Sequence, residues 1–331
     1  MNFSALPKIE LHLHLDCSVS FKVASRLNPS LTRDEFQREF IAPAKCTNLA
    51  DVLTRAARGF ELMQTEEALR LVTFDMFEQL AADNVIYAEI RFAPHLHLLQ
   101  GLTPNDVVEV VDEAAKEASK QSGVEARLIL CTLRHFTEQQ GLETVRLVEK
   151  FRRSAVVALD IAGDEAGHPI APHIAAFEYA AAHGLARTAH AGEARGADSM
   201  WETLRLLKPM RIGHGVRSVE DPALVSHLKQ HNIHLEMCPS SNVQTNVVDT
   251  AADHCIDELM RDGVSVGVNT DSRTMGNLTL TEEYRRLNQT FGWTSADFFR
   301  CNRNALAAAF IPDNMRERLR HRLEQAYTAG V

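Results

Sequence analysis

Short runs rich in Val, Ile and Leu recur along the chain, each followed by a polar stretch with helical spacing. Eight stand out: Ile9–Leu15, Val85–Phe92, Ala126–Leu130, Ala155–Ile161, Ala186–His190, Met210–Gly213, Ile233–Met237 and Val264–Asn269. Several have the near-continuous apolar character of strands buried on both faces of a parallel sheet. Between the runs the period changes. Leu69, Val72, Met76, Phe77 and Leu80 share one helical face and predict a core-facing stripe. Thr103-Pro104-Asn105-Asp106 places a Thr at the N-cap, Pro at the first helical position and an acid two residues on. Strands alternating with helices predict a parallel sheet, and eight of them predict closure into an α/β (β/α)8 barrel. Two segments exceed this rhythm. Residues 20–84 are too long for one crossover helix and predict extra helices forming a lid over the barrel mouth. Residues 294–329 predict further helices packed outside the barrel. No repeat, linker or low-complexity run divides residues 1–331, so one barrel domain is expected.

Composition narrows the function more than the fold. With 35 basic against 44 acidic residues the net charge is −9, which offers no footprint for a nucleic-acid backbone. A small nucleoside, carrying no phosphate, is not excluded. The first residues lack a basic segment followed by a long apolar run, and no stretch approaches the roughly 18 apolar residues of a membrane span, so a cytoplasmic protein is expected. The six cysteines are scattered without a CxxC pair, which fits reduced thiols. A homo-oligomer is compatible with the sequence, which does not specify one.

The polar residues at the ends of the strand runs carry the chemistry. The first run contains His12-Leu13-His14-Leu15-Asp16, and strand alternation sends both imidazoles to one face. That pair alone also fits two half-buried histidines bonded to backbone. However, the fifth run ends in Thr188-Ala189-His190-Ala191-Gly192-Glu193, the sixth in Gly213-His214-Gly215 and the eighth in Asn269-Thr270-Asp271. Catalytic groups in barrels come from such strand ends. Imidazoles and a carboxylate converging there suit zinc. His95 and His97 repeat the spacing after the second run. Cytidine-type zinc deaminases use HxE followed by PCxxC; here Cys238-Pro239 is in the wrong order and no CxxC exists.

PKIELHLHLD, YAEIRFAPH, ALDIAGDE, TAHAGE, RIGHG, EMCPSSN and VNTD stand in an order that resembles the adenosine deaminases, metal-dependent amidohydrolases, from Pro7 to about Tyr284. The resemblance implies one zinc ion held by His12, His14, His190 and Asp271. It implies catalytic roles for Glu193 as the acid at purine N1, for His214 beside the attacking water, and for Asp271. Among substrate contacts it implies His14, Asp16 near the ribose 5′-hydroxyl, the Gly163 amide at N3 and Ser272 toward N7. The reaction implied is hydrolysis of adenosine or 2′-deoxyadenosine to inosine or deoxyinosine and ammonia. Two positions depart from the family pattern: Cys17 stands where Gly is common, and Ser272 where many members have a second Asp. These departures keep open a 5′-modified 6-aminopurine nucleoside, such as aminodeoxyfutalosine or a thioether nucleoside. A barrel hydrolase with the same metal set and a non-purine substrate, and a non-catalytic purine-binding barrel, are the remaining alternatives.

Overall fold

In the computed structural model, which describes residues 1–328, all eight expected strands form. They are β1 (Lys8–His14), β2 (Val85–Phe92), β3 (Glu125–Leu133), β4 (Val156–Ala162), β5 (Ala186–Ala191), β6 (Arg211–His214), β7 (His234–Met237) and β8 (Val266–Val268). They pair in sequence order, every ladder parallel. β8 is shorter than its apolar run, and the last seam closes differently. A single bridge joins Leu13 to Asp271, where His14 N–H donates to the Asp271 carbonyl at 2.8 Å. The rest of that seam is completed by side chains. Asn269 Oδ1 accepts from the amides of Leu11 and His12 at 2.8 and 3.0 Å, and Asn302 Oδ1 accepts from Ile9 at 2.7 Å. Buried strand amides need partners, and here two asparagines supply them.

The helices follow their sequence signals. Thr103 and Asp106 form a reciprocal capping box on the helix Pro104–Ser122. Leu69, Val72, Met76, Phe77 and Leu80 are all buried on the helix Glu66–Ala82. The segment between β1 and β2 holds four helices, Phe21–Leu27, Arg33–Glu39, Leu49–Phe60 and Glu66–Ala82. Among the described residues, no helix is long and apolar enough to cross a membrane.

The C-terminal segment departs in part from expectation. The helix Ser295–Ala308 packs on β8, β1 and β7, but the link after it turns against the barrel's lower end. Phe310 N–H donates to Glu89 at 2.7 Å, and the Arg211 guanidinium lies 3.8 Å from the Phe310 ring centre. That link is drawn in because the barrel interior is charged. Glu89, Arg91, Asp160, Arg211 and Glu236 are all fully buried, and charges without water require paired partners. Arg211 bridges Glu89 and Glu236, while Arg91 bridges Glu236 and Asp160 at 2.6 and 2.8 Å.

Candidate active site

The upper end of this interior network meets the strand-end histidines. His14 Nε2 and His190 Nε2 stand 3.1 Å apart, and Asp271 Oδ1 is 3.4 Å from both His12 Nε2 and His14 Nε2. Ligands about 2.0–2.1 Å from a tetrahedral ion lie roughly 3.3 Å from one another. His12 Nε2 is buried without a hydrogen-bond partner, which a metal would satisfy. The donor set and its spacing therefore fit zinc. Space for the His12 ring comes from Gly213, where a Cβ would sit 2.8 Å from His12 Cε1. Asp271 and His214 both hold left-handed backbone conformations, φ +66° and +62°, uncommon for residues with a side chain. The loop carrying Asp271 is locked in place: Arg273 pairs with Glu10 at 2.7 Å and Asp83 at 3.1 Å, and Ser241 Oγ donates to Asp271 Oδ2 at 2.7 Å.

The far nitrogens of two candidate ligands are held too. His12 Nδ1 lies 2.9 Å from Glu236 and His190 Nδ1 3.1 Å from Asp160, so each ring is turned with Nε2 toward the cluster. Burial opposes charge on Glu236, but the adjacent Arg91 and Arg211 outweigh it and hold its carboxyl well below the usual range. The metal-facing end of the barrel thus rests on carboxylates, themselves neutralised by two arginines beneath. Asp160, Glu236, Arg91 and Arg211 carry no role in the sequence reading. Their signal was available: a charge alternating with apolar residues in a strand buried on both faces has to be paired inside.

Glu193, four percent exposed, faces the same space, its Oε2 3.6 Å from His214 Nε2. Burial, with Asp271 and Glu165 as like charges nearby, pushes its carboxyl well above the ordinary range, which favours its protonated form. Its backbone is fixed by Glu165, whose carboxylate accepts from the amides of Gly192, Glu193, Ala194 and Arg195 at 2.7–3.0 Å and from Ser199 Oγ at 2.8 Å. Glu165 therefore braces the barrel top. Glu165→Gln replaces an acceptor oxygen with a donor facing donors. The expected result is a loss of about 2–4 kcal/mol of stability, read by denaturant unfolding, with kcat reduced as well.

A cavity of about 390 Å3 opens above the cluster. Its lining includes His14, His190, Glu193, His214 and Asp271 on one side and Gly163, Cys17 and Ser272 on others. Gly163 has φ +96°, a conformation that glycine adopts freely, and its missing side chain leaves the backbone open to close approach. Cys17 and Ser272, the two departures from the family pattern, both line this cavity. Asp16 is placed differently from the expectation. It is absent from the cavity wall, with its oxygens taken by the Ala93 amide at 3.1 Å and by His97 Nε2 at 2.7 Å. That contact also accounts for His97, while His95 faces Glu143 at 3.7 Å, so these two histidines do not converge on a metal. His173, His234 and His254 are buried and hydrogen-bonded. Burial pushes the Cys238 thiol well up, which keeps it a core thiol.

Three imidazoles and a carboxylate spaced for a metal, with a buried acid facing the same cavity, define a metal-dependent barrel hydrolase. The comparisons sharpen this class. Residues 7–326 match the adenosine deaminase family. Adenosine deaminase of Enterococcus faecalis is 36% identical over 330 residues, covering 97% of each chain. Adenine deaminase of Arthrobacter aurescens superposes with a TM-score of 0.89 at 26% identity, over 97% of this chain and 98% of that one. A zinc-bound amidohydrolase of Burkholderia ambifaria reaches 0.90 at 25% identity, over 99% and 92%. The chain belongs to the adenosine deaminase family, and it is a hydrolytic deaminase.

Proposed function

We propose that this chain binds one zinc ion through His12, His14, His190 and Asp271 and deaminates a 6-aminopurine nucleoside, adenosine or 2′-deoxyadenosine. The observation that carries this reading is the buried Glu193, its carboxyl pushed well above the ordinary range, facing the cavity shared with the histidine–aspartate cluster. Zinc, when bound, acts as a Lewis acid that makes hydroxide available near neutral pH. Glu193 gives its proton to purine N1, so the electrons displaced from C6 are received without a buried anion forming. The Gly163 amide meets N3 and holds the purine edge against Glu193. Ser272, able to donate without first being protonated, faces N7. The C6–N bond breaks, ammonia leaves and a 6-oxopurine remains.

The outer wall supports a nucleoside over the bare base or a nucleotide. Beyond the polar end, Ile41, Leu53, Leu278 and Leu287 line space for a group attached to the purine, and residues 37–53 of the helical insertion act as a lid. Arg286 is the one arginine or lysine on the wall, and it is engaged with Ser240 at 2.8 Å beside the Glu283 carboxylate. A phosphate would find no guanidinium clamp there. The same apolar wall favours a second reading, a 5′-thioether nucleoside or another 5′-modified 6-aminopurine nucleoside. Six free cysteines fit a cytoplasmic setting.

Ammonia release from adenosine, deoxyadenosine, adenine, AMP, methylthioadenosine and aminodeoxyfutalosine, with metal content recorded, tests the reading. The expected result is highest kcat/KM on adenosine or deoxyadenosine. Preference for a 5′-modified compound transfers the assignment to the second reading. Preference for adenine or AMP overturns both. No release with zinc bound leaves a purine-binding barrel.

A further inference from the structure

His214 reaches the candidate site with its other nitrogen already engaged. Its Nδ1 lies 3.2 Å from Asn242 Nδ2, and Asn242 Oδ1 lies 3.1 Å from His254 Nε2. The far side of His254 decides how this chain of contacts is polarised. Ile256 N–H donates to His254 Nδ1 at 3.1 Å. A backbone amide can neither flip nor ionise, so His254 Nδ1 must keep its lone pair and its proton must sit on Nε2. That proton goes to Asn242 Oδ1, which fixes the amide's orientation. Asn242 Nδ2 then donates to His214 Nδ1.

We infer that Ile256, His254 and Asn242 form a one-way hydrogen-bond relay that holds His214 as its Nε2–H tautomer, making His254 and Asn242 positioning residues for catalysis. Reversing Asn242 would place its oxygen on His214 and its NH2 on His254 Nε2. His254 would then need its hydrogen on Nδ1, directly against the Ile256 N–H. The relay is dry: Asn242, His254 and His214 are all buried. Burial also holds His254 down to about 3, which keeps it neutral, and lowers His214 well below the ordinary histidine range.

The consequence concerns what His214 does. Its Nε2 points into the candidate site, 3.6 Å from Glu193 Oε2, and the His214 and His12 ring centres are 4.7 Å apart. As Nε2–H this nitrogen has a hydrogen to offer and no lone pair to receive one. His214 therefore donates a hydrogen bond to the oxygen that attacks C6 and does not take that oxygen's proton. This role rests on the deaminase reading, whereas the tautomer does not depend on any substrate.

The test is a long-range 1H–15N correlation spectrum of the zinc-loaded and zinc-free protein labelled at histidine. The expected result is a pyrrole-type Nε2 and a pyridine-type Nδ1 for both His214 and His254. An Nδ1–H tautomer or an imidazolium at either ring at neutral pH overturns the relay. Asn242→Asp supplies an acceptor to both neighbours and should reverse the His214 tautomer. Its kcat should fall about 10²–10⁴-fold, with KM within about threefold and zinc content unchanged. A reversed tautomer with kcat near wild type overturns the catalytic role. Should that variant fail to fold, His254→Gln and His254→Phe decide. The amide can still donate to Asn242 and should retain most of kcat, whereas the phenyl ring should lose at least about tenfold. Equal activities in this pair overturn the role. A wild-type protein without deaminase activity but with the expected spectrum leaves the relay intact and removes only the substrate reading.

Discussion

Glu193→Gln is expected to lower kcat about a thousandfold while leaving zinc stoichiometry and folding intact. Glutamine keeps the shape and can still offer a hydrogen to purine N1, but it cannot give that hydrogen up. The loss therefore isolates proton transfer from binding. General acid–base groups contribute about 10²–10⁴-fold, so a thousandfold effect corresponds to about 4 kcal/mol of transition-state stabilisation. KM should change little, because the amide preserves the ground-state contact. The structural basis is the contrast between two neighbouring glutamates. Glu165 spends its oxygens on four backbone amides and Ser199, whereas Glu193 has only a 3.5 Å contact from Thr245 Oγ1 and a 3.6 Å approach to His214 Nε2. Steady-state kinetics with metal analysis on the same preparation checks the prediction. Turnover within tenfold of wild type would remove Glu193 from the acid role.

That contrast was only half visible in the sequence. Glu193 stands out because it follows a strand-end histidine by three residues, and the same motif logic brings in His12, His14, His214 and Asp271. The strands themselves were legible for a simple reason: a barrel strand buried on both faces must be apolar over most of its length. Helix starts were legible where local chemistry decides them, as at Thr103, whose cap needs no tertiary partner.

What the chain hid were interactions between residues far apart in sequence. Asn269 and Asn302 replace backbone pairing at the β8–β1 seam, and nothing local marks an asparagine for that work. Arg91, Arg211, Asp160 and Glu236 become a single network only once β2, β4, β6 and β7 surround the same axis. His254 looks like any polar residue before a helix, yet its ring is enclosed because residues 242–256 fold back on themselves beside β6 and β7. Asp16 misled for the opposite reason. It follows the ligand motif directly, but the short turn Leu15–Cys17 rotates its side chain toward His97 and away from the cavity. Strand alternation predicts orientation only while the strand lasts.

His190→Ala is expected to abolish retained zinc, with affinity falling by more than about 100-fold and deamination by at least as much. Even groups that only orient a ligand cost about 10–100-fold in metal affinity when changed, so removal of a direct ligand should cost more. Asp160→Asn provides the calibration. An asparagine carbonyl can still accept from His190 Nδ1, so the ring keeps its aim, but the negative charge behind it is lost. Its affinity should fall within the 10–100-fold range. Thermal unfolding supplies a readout independent of turnover. Zinc at about 100 times its dissociation constant stabilises the native state by about 2.7 kcal/mol, an increment that a chelator removes from the wild type. His190→Ala should show no such chelator-dependent shift, because it has no bound ion to lose. Its unfolding should stay cooperative, since Arg91 still pairs with Asp160 at 2.8 Å once the imidazole is gone. Full zinc occupancy in His190→Ala, or a chelator shift equal to wild type, would move the metal to the neighbouring set formed by His12, His214, Cys238 and Asp271. That set requires a thiolate from a cysteine that burial strongly disfavours, and it would take His214 out of the donor role.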